Sequence, residues 1–373
     1  MRIQLEVFDI GRFFSLIKFL CQSRKLIFTA VKENRMKALF IGGTGTISSA
    51  IVRRLAKDPM WEVWLLNRGN RADTVTDNVH QIVCDINDEE AVLKAVGDMV
   101  FDCVCEFIGF TVDQADRDFR LFNGKCRQYI YISSASAYHK PSANYVITEG
   151  TALANPYWEY SRNKIACEEY LMKRYREDKF PVTIVRPSHT YDERSIPLGV
   201  HGKNGSWQVV KRMMEGKPVI IHGDGESLWH LTFNEDFAVG YTALMGNRHA
   251  IGEAFQLTGD EVLTWNQIYQ TIADALGVEL NAYHVSSEFL TAAGPDYDFE
   301  GSLTGDKAVS VVFDNSKIKR LAPDLKTTVP FHKGVRIALE YILNHKECMK
   351  EDPEFDRWCD KVIDTLEEAK KSF

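Results

Sequence analysis

The chain has 373 residues, of which 45% are hydrophobic and 26% charged, and its formal net charge is -7. This composition is typical of a globular protein, and the length allows two lobes around a substantial core. The negative charge disfavours nucleic-acid binding through a basic surface. The eight cysteines include no CxxC pair and the ten histidines no HxxxH spacing. These spacings favour reduced thiols in the cytoplasm and disfavour a metal site.

Residues 1–35 precede the first predicted strand, which begins at Met36. The segment is apolar and basic, but its longest uninterrupted apolar stretch is far shorter than the roughly 20 residues that span a bilayer. An amphipathic helix at a membrane surface is compatible with this pattern. Because the fold pattern starts abruptly at Met36, we favour an accessory extension or an upstream start codon. The mass of the natively expressed protein shows where its chain begins. A mature chain that begins at Met1 would exclude the start-codon interpretation.

A glycine-rich turn, GGTGTIS, follows the apolar run KALFI and precedes a helical pattern. This order predicts a strand, a tight turn and a helix. Gly43, Gly45 and Ser48 fit the spacing G-x-G-x-x-G/A with serine in the last position, a change expected to loosen helix packing slightly. Glycines admit a pyrophosphate close to the backbone, and the helix N terminus stabilises its charge. The predicted contacts with a dinucleotide are Gly42, Gly43, Thr44, Gly45, Thr46 and Ile47.

The ends of the next two predicted strands bear on the choice of nucleotide. WEVWLL ends at Asn67 and Arg68, where no carboxylate is available to bind the ribose hydroxyls of NAD. An arginine pairs well with a 2′-phosphate, so NADP is mildly favoured over NAD, although Asn67 can hydrogen-bond a bare ribose. The pattern QIVCDIND ends at Asp85 and Ile86, which are predicted to contact the cofactor. The carboxylate of Asp85 either accepts from an adenine amino group or, like Asn87, caps a helix.

Tyr160 and Lys164, in the sequence YSRNK, lie four residues apart and therefore on one face of a predicted helix. A nearby ammonium favours the phenolate form of a tyrosine, whose unperturbed pKa is about 10. The pair therefore predicts a phenol that exchanges a proton with a substrate hydroxyl.

The segments GGTGTIS, DI, YISSASAY, YSRNK and VRPSHTY occur in an order that resembles the extended short-chain dehydrogenase/reductases, and more narrowly the NAD-dependent epimerase/dehydratase family. The resemblance covers roughly residues 36–343. It implies an α/β fold, a Rossmann-type doubly wound parallel sheet with a smaller C-terminal substrate-binding lobe. It also implies a homodimer formed through helices near residues 112–122 and 157–175.

The same resemblance implies a catalytic triad of Ser134, Tyr160 and Lys164. Ser134 would orient the substrate oxygen and Tyr160 would exchange its proton. Lys164 would hold the nicotinamide ribose and lower the pKa of Tyr160, while the hydride belongs to the cofactor. The family's chain passes the nicotinamide at a segment that corresponds here to Pro187, Ser188 and His189. His189 is either an auxiliary acid or base, or a neutral histidine in the cleft wall.

Substrate contacts are expected from Ser136, Tyr138 and Trp229, and two departures from the family pattern limit the reaction. Ala135 and Ser136 stand where sugar 4,6-dehydratases of the family carry an acidic pair, which disfavours dehydration. Trp229 stands where many nucleotide-sugar epimerases have an arginine for the diphosphate. Its indole either stacks on a sugar or aromatic group or belongs to the core. The alternative sources of that positive charge are Lys203, Lys211 and Arg212.

We predict four regions along the chain. They are an extension over 1–35, a Rossmann NAD(P)-binding domain over 36–190 with its sheet completed by about 229–260, a substrate-binding lobe over 191–228 and 261–345, and a C-terminal helix over 346–373. The predicted function is an NAD(P)-dependent oxidoreductase or epimerase acting on a hydroxyl or ketone of a sugar-like molecule. The alternative is a catalytically idle protein that binds cofactor or RNA, as in the chloroplast stem-loop-binding branch that the segment DGESLWHLTF resembles.

Overall fold

The computed structural model describes residues 35–69 and 78–373. Apart from Arg35, the predicted N-terminal extension lies outside the described residues, and the interpretations of its origin stay predictions. Within the described ranges, no helix is both long and apolar enough to cross a membrane.

The first half of the described chain alternates strands and helices. Strands β4, β5 and β7 are buried along their whole length, which explains why they lack a polar face. The elements are β1 (Met36–Ile41), α1 (Thr46–Ala56), β2 (Trp61–Asn67), β3 (Val79–Val83), α2 (Glu89–Val96), β4 (Cys103–Glu106), α3 (Val112–Phe122), β5 (Tyr129–Ile132), β6 (Val146–Ile147), α4 (Glu159–Asp178) and β7 (Val182–Pro187).

Seven parallel strands form one sheet in the order β3-β2-β1-β4-β5-β7-β11, where β11 is Ala254–Leu257. From β1 the chain builds β2 and β3 on one side and then places β4 on the other side of β1. This reversal opens a crevice at the carboxyl ends of β1 and β4, the usual ligand site in doubly wound sheets. The predicted Rossmann-type doubly wound sheet is confirmed. Of residues 229–260, all of them described, β11 alone joins this sheet.

Helices cover both faces of the sheet. On one face, α1, α6 (Asn234–Leu244) and α9 (Ser316–Leu321) bury apolar side chains such as Leu55, Tyr241 and Ile318. On the other face, α2, α3 and α4 bury side chains such as Val92 and Leu171. The crevice at the strand ends therefore stands on a rigid three-layer support.

Most of the other elements after β7 pack around a separate hydrophobic core that contains Trp265, Tyr269 and Phe331. The elements are β8 (His189–Tyr191), α5 (Trp207–Met214), β9 (Val219–His222), β10 (Leu228–Phe233), β12 (Val262–Thr264), α7 (Trp265–Leu276), β13 (Ala282–Val285), α8 (Ser287–Ala293), a π-helix (Glu300–Lys307), β14 (Val312–Phe313), α10 (Phe331–Asn344) and α11 (Pro353–Lys370). Small sheets join β8 with β10 and β12, β9 with β13, and β6 with β14.

Candidate active site

The glycine turn between β1 and α1 is shaped by two close approaches. Gly42 has φ +83°, and a Cβ there would lie 2.6 Å from Cγ2 of Ile108. A Cβ at Gly43 would lie 2.4 Å from Cδ2 of Leu65. Both distances are shorter than ordinary Cβ contacts, and the positive φ at Gly42 strains any residue with a side chain, so this turn favours glycine at both positions.

Two hydrogen bonds of the Ser48 side chain link the turn to the start of α1. Its Oγ donates to the carbonyl of Gly42 at 2.8 Å and accepts from the backbone N–H of Gly45 at 3.0 Å. Ser48 is also buried, at 1% exposure. The hydroxyl therefore adds two bonds that a third glycine would lack, while the expected loosening of the helix packing stays a prediction.

A cavity of about 510 Å³, here the glycine-turn cavity, opens at the carboxyl ends of β1, β2 and β3. Its wall includes six of the residues predicted to contact the cofactor. These are Gly42, Thr44, Asn67, Arg68, Asp85 and Ile86, and the wall also contains Leu66, Cys84, Asn87 and Ile108. The predicted Gly43, Gly45, Thr46 and Ile47 lie in the turn and the first residues of α1, beside this wall.

Some polar side chains of this cavity already form hydrogen bonds within the protein. Asn67 Oδ1 accepts from the N–H of Gly69 at 2.8 Å, whereas the Arg68 side chain is exposed. Asp85 Oδ1 accepts from the N–H of Asn87 at 2.9 Å and so stabilises a local turn. The helix-capping alternative for Asp85 or Asn87 is wrong, because Asp88 caps α2 through the N–H of Ala91.

A second cavity of about 240 Å³, here the tyrosine cavity, lies beyond β5 and β7. It brings together residues that are far apart in the sequence. Seven are predicted site residues, namely Ser134, Ser136, Tyr160, Pro187, Ser188, His189 and Trp229, and the others are Ala135, Trp158, Asp306 and Lys307. Trp158, Asp306 and Lys307 are cavity residues that were not predicted from the sequence. Trp158 had one signal, its position two residues before Tyr160.

Lys164 lies beneath the tyrosine cavity and is 2% exposed. Its Nζ donates to the carbonyls of Ile132 at 2.7 Å and Gly109 at 2.8 Å, and lies 5.8 Å from the ring centre of Tyr160. Burial lowers the pKa of Lys164 to about 8. The helix α4 thus presents Tyr160 to the cavity and holds Lys164 one turn below it.

A row of hydroxyl groups supports Ser134. Its Oγ lies 2.8 Å from Oγ of Ser136, which in turn accepts from Oγ of Ser161 at 2.7 Å. Ser134 also lies near the phenol of Tyr160 and lowers the pKa of that phenol. The two groups expected to hold the substrate oxygen therefore lie close together in the tyrosine cavity.

The pKa of Tyr160 does not follow the prediction. Burial raises it, the nearby Ser134 hydroxyl lowers it, and the carboxylate of Asp306 raises it again. In the geometry seen here burial outweighs the influence of Lys164 on this pKa, so the phenol is not made acidic as predicted. The reason is that Tyr160 is partly buried while the Lys164 ammonium donates to two backbone carbonyls.

One chain segment, Ile108 to Phe110, links the two cavities. Ile108 lines the glycine-turn cavity, the carbonyl of Gly109 accepts from Lys164, and the Phe110 ring centre lies 6.4 Å from that of Tyr160. The side chains of Ile108 and Phe110 are 39% and 43% exposed. A flat ring that passes from one cavity to the other would cover these apolar groups.

Glu106, at the end of β4, holds the start of this segment. It is fully buried, and its Oε1 accepts from the N–H of Ile108. Its Oε2 is buried without a partner at hydrogen-bonding distance. Burial and the neighbouring Asp118 raise the pKa of Glu106. Asp118 accepts from Arg117 at 2.7 Å and from Tyr129 at 2.8 Å, so we assign the proton to Glu106 and the charge to Asp118.

The structure does not bring Tyr138 to the tyrosine cavity. It is 1% exposed, and its hydroxyl donates to Gln256 at 3.2 Å. The guanidinium of Arg186 lies 5.0 Å from its ring centre. The predicted substrate contact of Tyr138 is therefore wrong, because this side chain packs beneath the cavity floor.

His189 and Trp229 line the tyrosine cavity as largely structural parts of its wall. Burial lowers the pKa of His189 to about 3, so it is neutral and a weak base near pH 7. This favours the neutral-histidine alternative over an auxiliary acid or base. Trp229 is 3% exposed, with its ring centre 5.8 Å from that of Trp265, which favours the core alternative for most of its indole.

Comparison with known proteins places this site in a family. Residues 38–257, more than half of the chain, match the NAD dependent epimerase/dehydratase family. The chain belongs to this family. The earlier resemblance is thereby confirmed, and membership of the epimerase/dehydratase family supports an NAD-dependent enzyme.

Three similar proteins are informative. The family member is 25% identical over 296 residues to 2′-dehydrokanamycin reductase of Streptomyces kanamyceticus, covering 78% of this chain and 80% of that protein. It is 24% identical to the chloroplast stem-loop binding protein of 41 kDa b of Arabidopsis thaliana, covering 66% of this chain and 64%, just under two thirds, of that protein. Its fold is similar to that of UDP-glucuronic acid 4-epimerase from Bacillus cereus, solved with UDP-glucuronic acid and NAD. That comparison has a TM-score of 0.66 at 20% identity and covers 83% of this chain and 99% of the other.

Proposed function

We propose that this protein is an NAD(P)-dependent oxidoreductase or epimerase that acts on a hydroxyl or ketone of a sugar-like small molecule. The observation that carries the proposal is the joining of two cavities by the segment from Ile108 to Phe110. One cavity is formed at the glycine turn, and the other contains Ser134 and Tyr160 above Lys164. A dinucleotide that lies along this segment would bring its reactive ring to Tyr160.

In this proposal Tyr160, Ser134 and Lys164 each have one role. Tyr160 gives a proton to, or takes one from, the substrate oxygen, and the Ser134 hydroxyl orients that oxygen. Lys164 stabilises the negative charge that develops on Tyr160. The nicotinamide, when bound, supplies or accepts the hydride.

The nucleotide that co-purifies with the protein tests this proposal and separates its two reactions. Mass spectrometry of the material released from freshly isolated protein should identify NAD or NADP and its redox state. A tightly held oxidised cofactor indicates epimerisation, in which the hydride returns to the same molecule. A readily exchanged reduced cofactor indicates net reduction. A protein that neither retains nor binds either nucleotide in titrations would contradict the proposal.

Arg68 is the basis of a proposed preference for NADP. Its exposed guanidinium stands in the wall of the glycine-turn cavity, next to Asn67, and is free to approach a 2′-phosphate. We expect Arg68→Ala to weaken NADPH binding by roughly tenfold or more, the loss of one charge-assisted pair, and to leave NADH binding within about twofold. Equal losses for both nucleotides in fluorescence titrations would assign Arg68 to general cofactor binding instead.

Glu106 is proposed to position the segment that carries the Gly109 carbonyl, and thereby Lys164. We expect Glu106→Gln to retain kcat within about threefold, because the amide oxygen still accepts from the N–H of Ile108. Glu106→Ala removes the acceptor of that part-buried N–H and empties the buried position of the carboxyl group. It should lower the free energy of unfolding by about 1–3 kcal/mol and kcat by roughly tenfold or more.

The two Glu106 variants are compared by denaturant unfolding and by steady-state kinetics. Rescue by glutamine would show that the acceptor at this position matters and that its charge does not. A Glu106→Gln variant as impaired as Glu106→Ala would contradict the assignment of a proton to Glu106.

An RNA-binding role is the second candidate function, and it is favoured by the similarity to the chloroplast stem-loop binding protein. The formal charge of -7 and the assembled site of Ser134, Tyr160 and Lys164 both favour the enzyme. Salt-dependent binding to single-stranded or stem-loop RNA at micromolar concentration, with no cofactor turnover, would reverse this preference.

A further inference from the structure

The outer wall of the tyrosine cavity is formed by the end of the π-helix, which is held firmly against α4. Gly301 lies so close to the Trp158 indole that a Cβ would be 2.1 Å from its Cδ1. The side-chain amide of Asn155 donates to the carbonyls of Gly305 at 2.7 Å and Ser136 at 2.8 Å. Asp306 and Lys307, the last two residues of this helix, are thereby fixed opposite Tyr160. π-Helical turns are frequent at functional sites.

The charged groups of this wall balance each other. Asp306 Oδ2 and Lys307 Nζ lie 3.7 Å apart, and both side chains are nearly buried. A second lysine near Asp306, Lys140, lies 5.9 Å from the centre of the Trp229 ring and is 2% exposed. It does not line the cavity, so the described wall offers a ligand one carboxylate and one ammonium beside the neutral His189.

The positive charge that a diphosphate needs is absent from this wall as the structure describes it, since its lining contains no arginine and its lysine is paired. The three alternative cations from the sequence analysis are engaged elsewhere. Arg212 donates to Asp356 and Asp360 of α11, each at 2.7 Å. Lys211 pairs with Glu351, and Lys203 lies over the Tyr297 ring.

We infer that the substrate is a sugar derivative without a nucleotide diphosphate, and that Asp306 and Lys307 bind its hydroxyl groups. This inference rests on the proposed function and names the substrate class of the same site. The Asp306 carboxylate accepts from hydroxyls, the Lys307 ammonium donates to a ring or hydroxyl oxygen, and the Trp158 indole offers an apolar face for the sugar ring. The name of the relative 2′-dehydrokanamycin reductase, a glycoside reductase, agrees with this class.

Binding to the NAD-loaded protein tests the inference. The probes are methyl glucoside, methyl galactoside, methyl mannoside and kanamycin, none of which carries a phosphate, and UDP-glucose. Saturation-transfer NMR and calorimetry should show at least one phosphate-free sugar binding more tightly than UDP-glucose. Asp306→Ala and Lys307→Met should weaken that binding by about tenfold or more, the effect of losing a hydrogen bond to a charged group.

Asp224→Ala is the matched control, because Asp224 is an exposed carboxylate outside the wall of the tyrosine cavity. It should leave sugar binding unchanged, and all three variants should bind NAD as the unaltered protein does. The inference is overturned if UDP-glucose is the tighter ligand, if none of the four phosphate-free sugars binds, or if Asp306→Ala retains full affinity. Turnover of a UDP-sugar that depends on Tyr160 would overturn this inference and leave the proposed function standing, whereas failure to bind cofactor would refute the proposed function itself.

Discussion

Replacing Tyr160 with phenylalanine is expected to lower kcat by about 10²–10⁴-fold, the usual contribution of a positioned proton donor or acceptor. Phenylalanine keeps the ring contacts with Trp158 and Phe110 and removes the hydroxyl that Ser134 addresses. Cofactor affinity should therefore stay within about threefold and the melting temperature should change little. Steady-state kinetics and cofactor titration of the same preparation measure both effects.

Tyr145→Phe is the control for this substitution, because Tyr145 is 60% exposed and lies outside both cavities. It should leave kcat unchanged. A Tyr160→Phe variant that turns over within threefold of the unaltered protein would reject the assignment of the proton-transfer role to Tyr160.

Replacing Lys164 with methionine is expected to lower kcat by roughly 10²–10³-fold, the effect of losing one preorganised group that stabilises charge in the transition state. The buried stem of the side chain is kept approximately, so the protein should fold. The Gly109 carbonyl also keeps one donor, the hydroxyl of Tyr131 at 3.0 Å. The loss should therefore appear in kcat and in cofactor affinity more than in stability.

The pH dependence separates the charge of Lys164 from its packing. Because burial lowers the pKa of Lys164 to about 8, its ammonium loses the proton as the pH rises through about 8. The kcat of the unaltered protein should decline above that pH, and Lys164→Met should abolish this limb of the profile. Lys173→Met, on the exposed side of the same helix, is the control and should retain the limb. A limb that persists in Lys164→Met would belong to another group.

The local features of the site could be predicted from the sequence because they depend on neighbours in the chain. The G-x-G spacing indicates a turn before a helix, and a spacing of four places Tyr160 and Lys164 on one face of α4. The end of each strand pattern placed Asn67, Arg68 and Asp85 at the edge where they form the glycine-turn cavity. These inferences needed no knowledge of which groups lose contact with water.

By itself the sequence determined the doubly wound fold, the family and many of the positions that line the two cavities, since apolar periodicity and residue spacing are properties of the chain. Tertiary packing alone decided the rest. It buried Tyr160 and so raised its pKa, turned the Lys164 ammonium to the carbonyls of Ile132 and Gly109, and brought Asp306 opposite a tyrosine far away in sequence. Desolvation and long-range contacts depend on which distant segments cover a side chain. The spacing of neighbouring residues in the sequence does not contain this information.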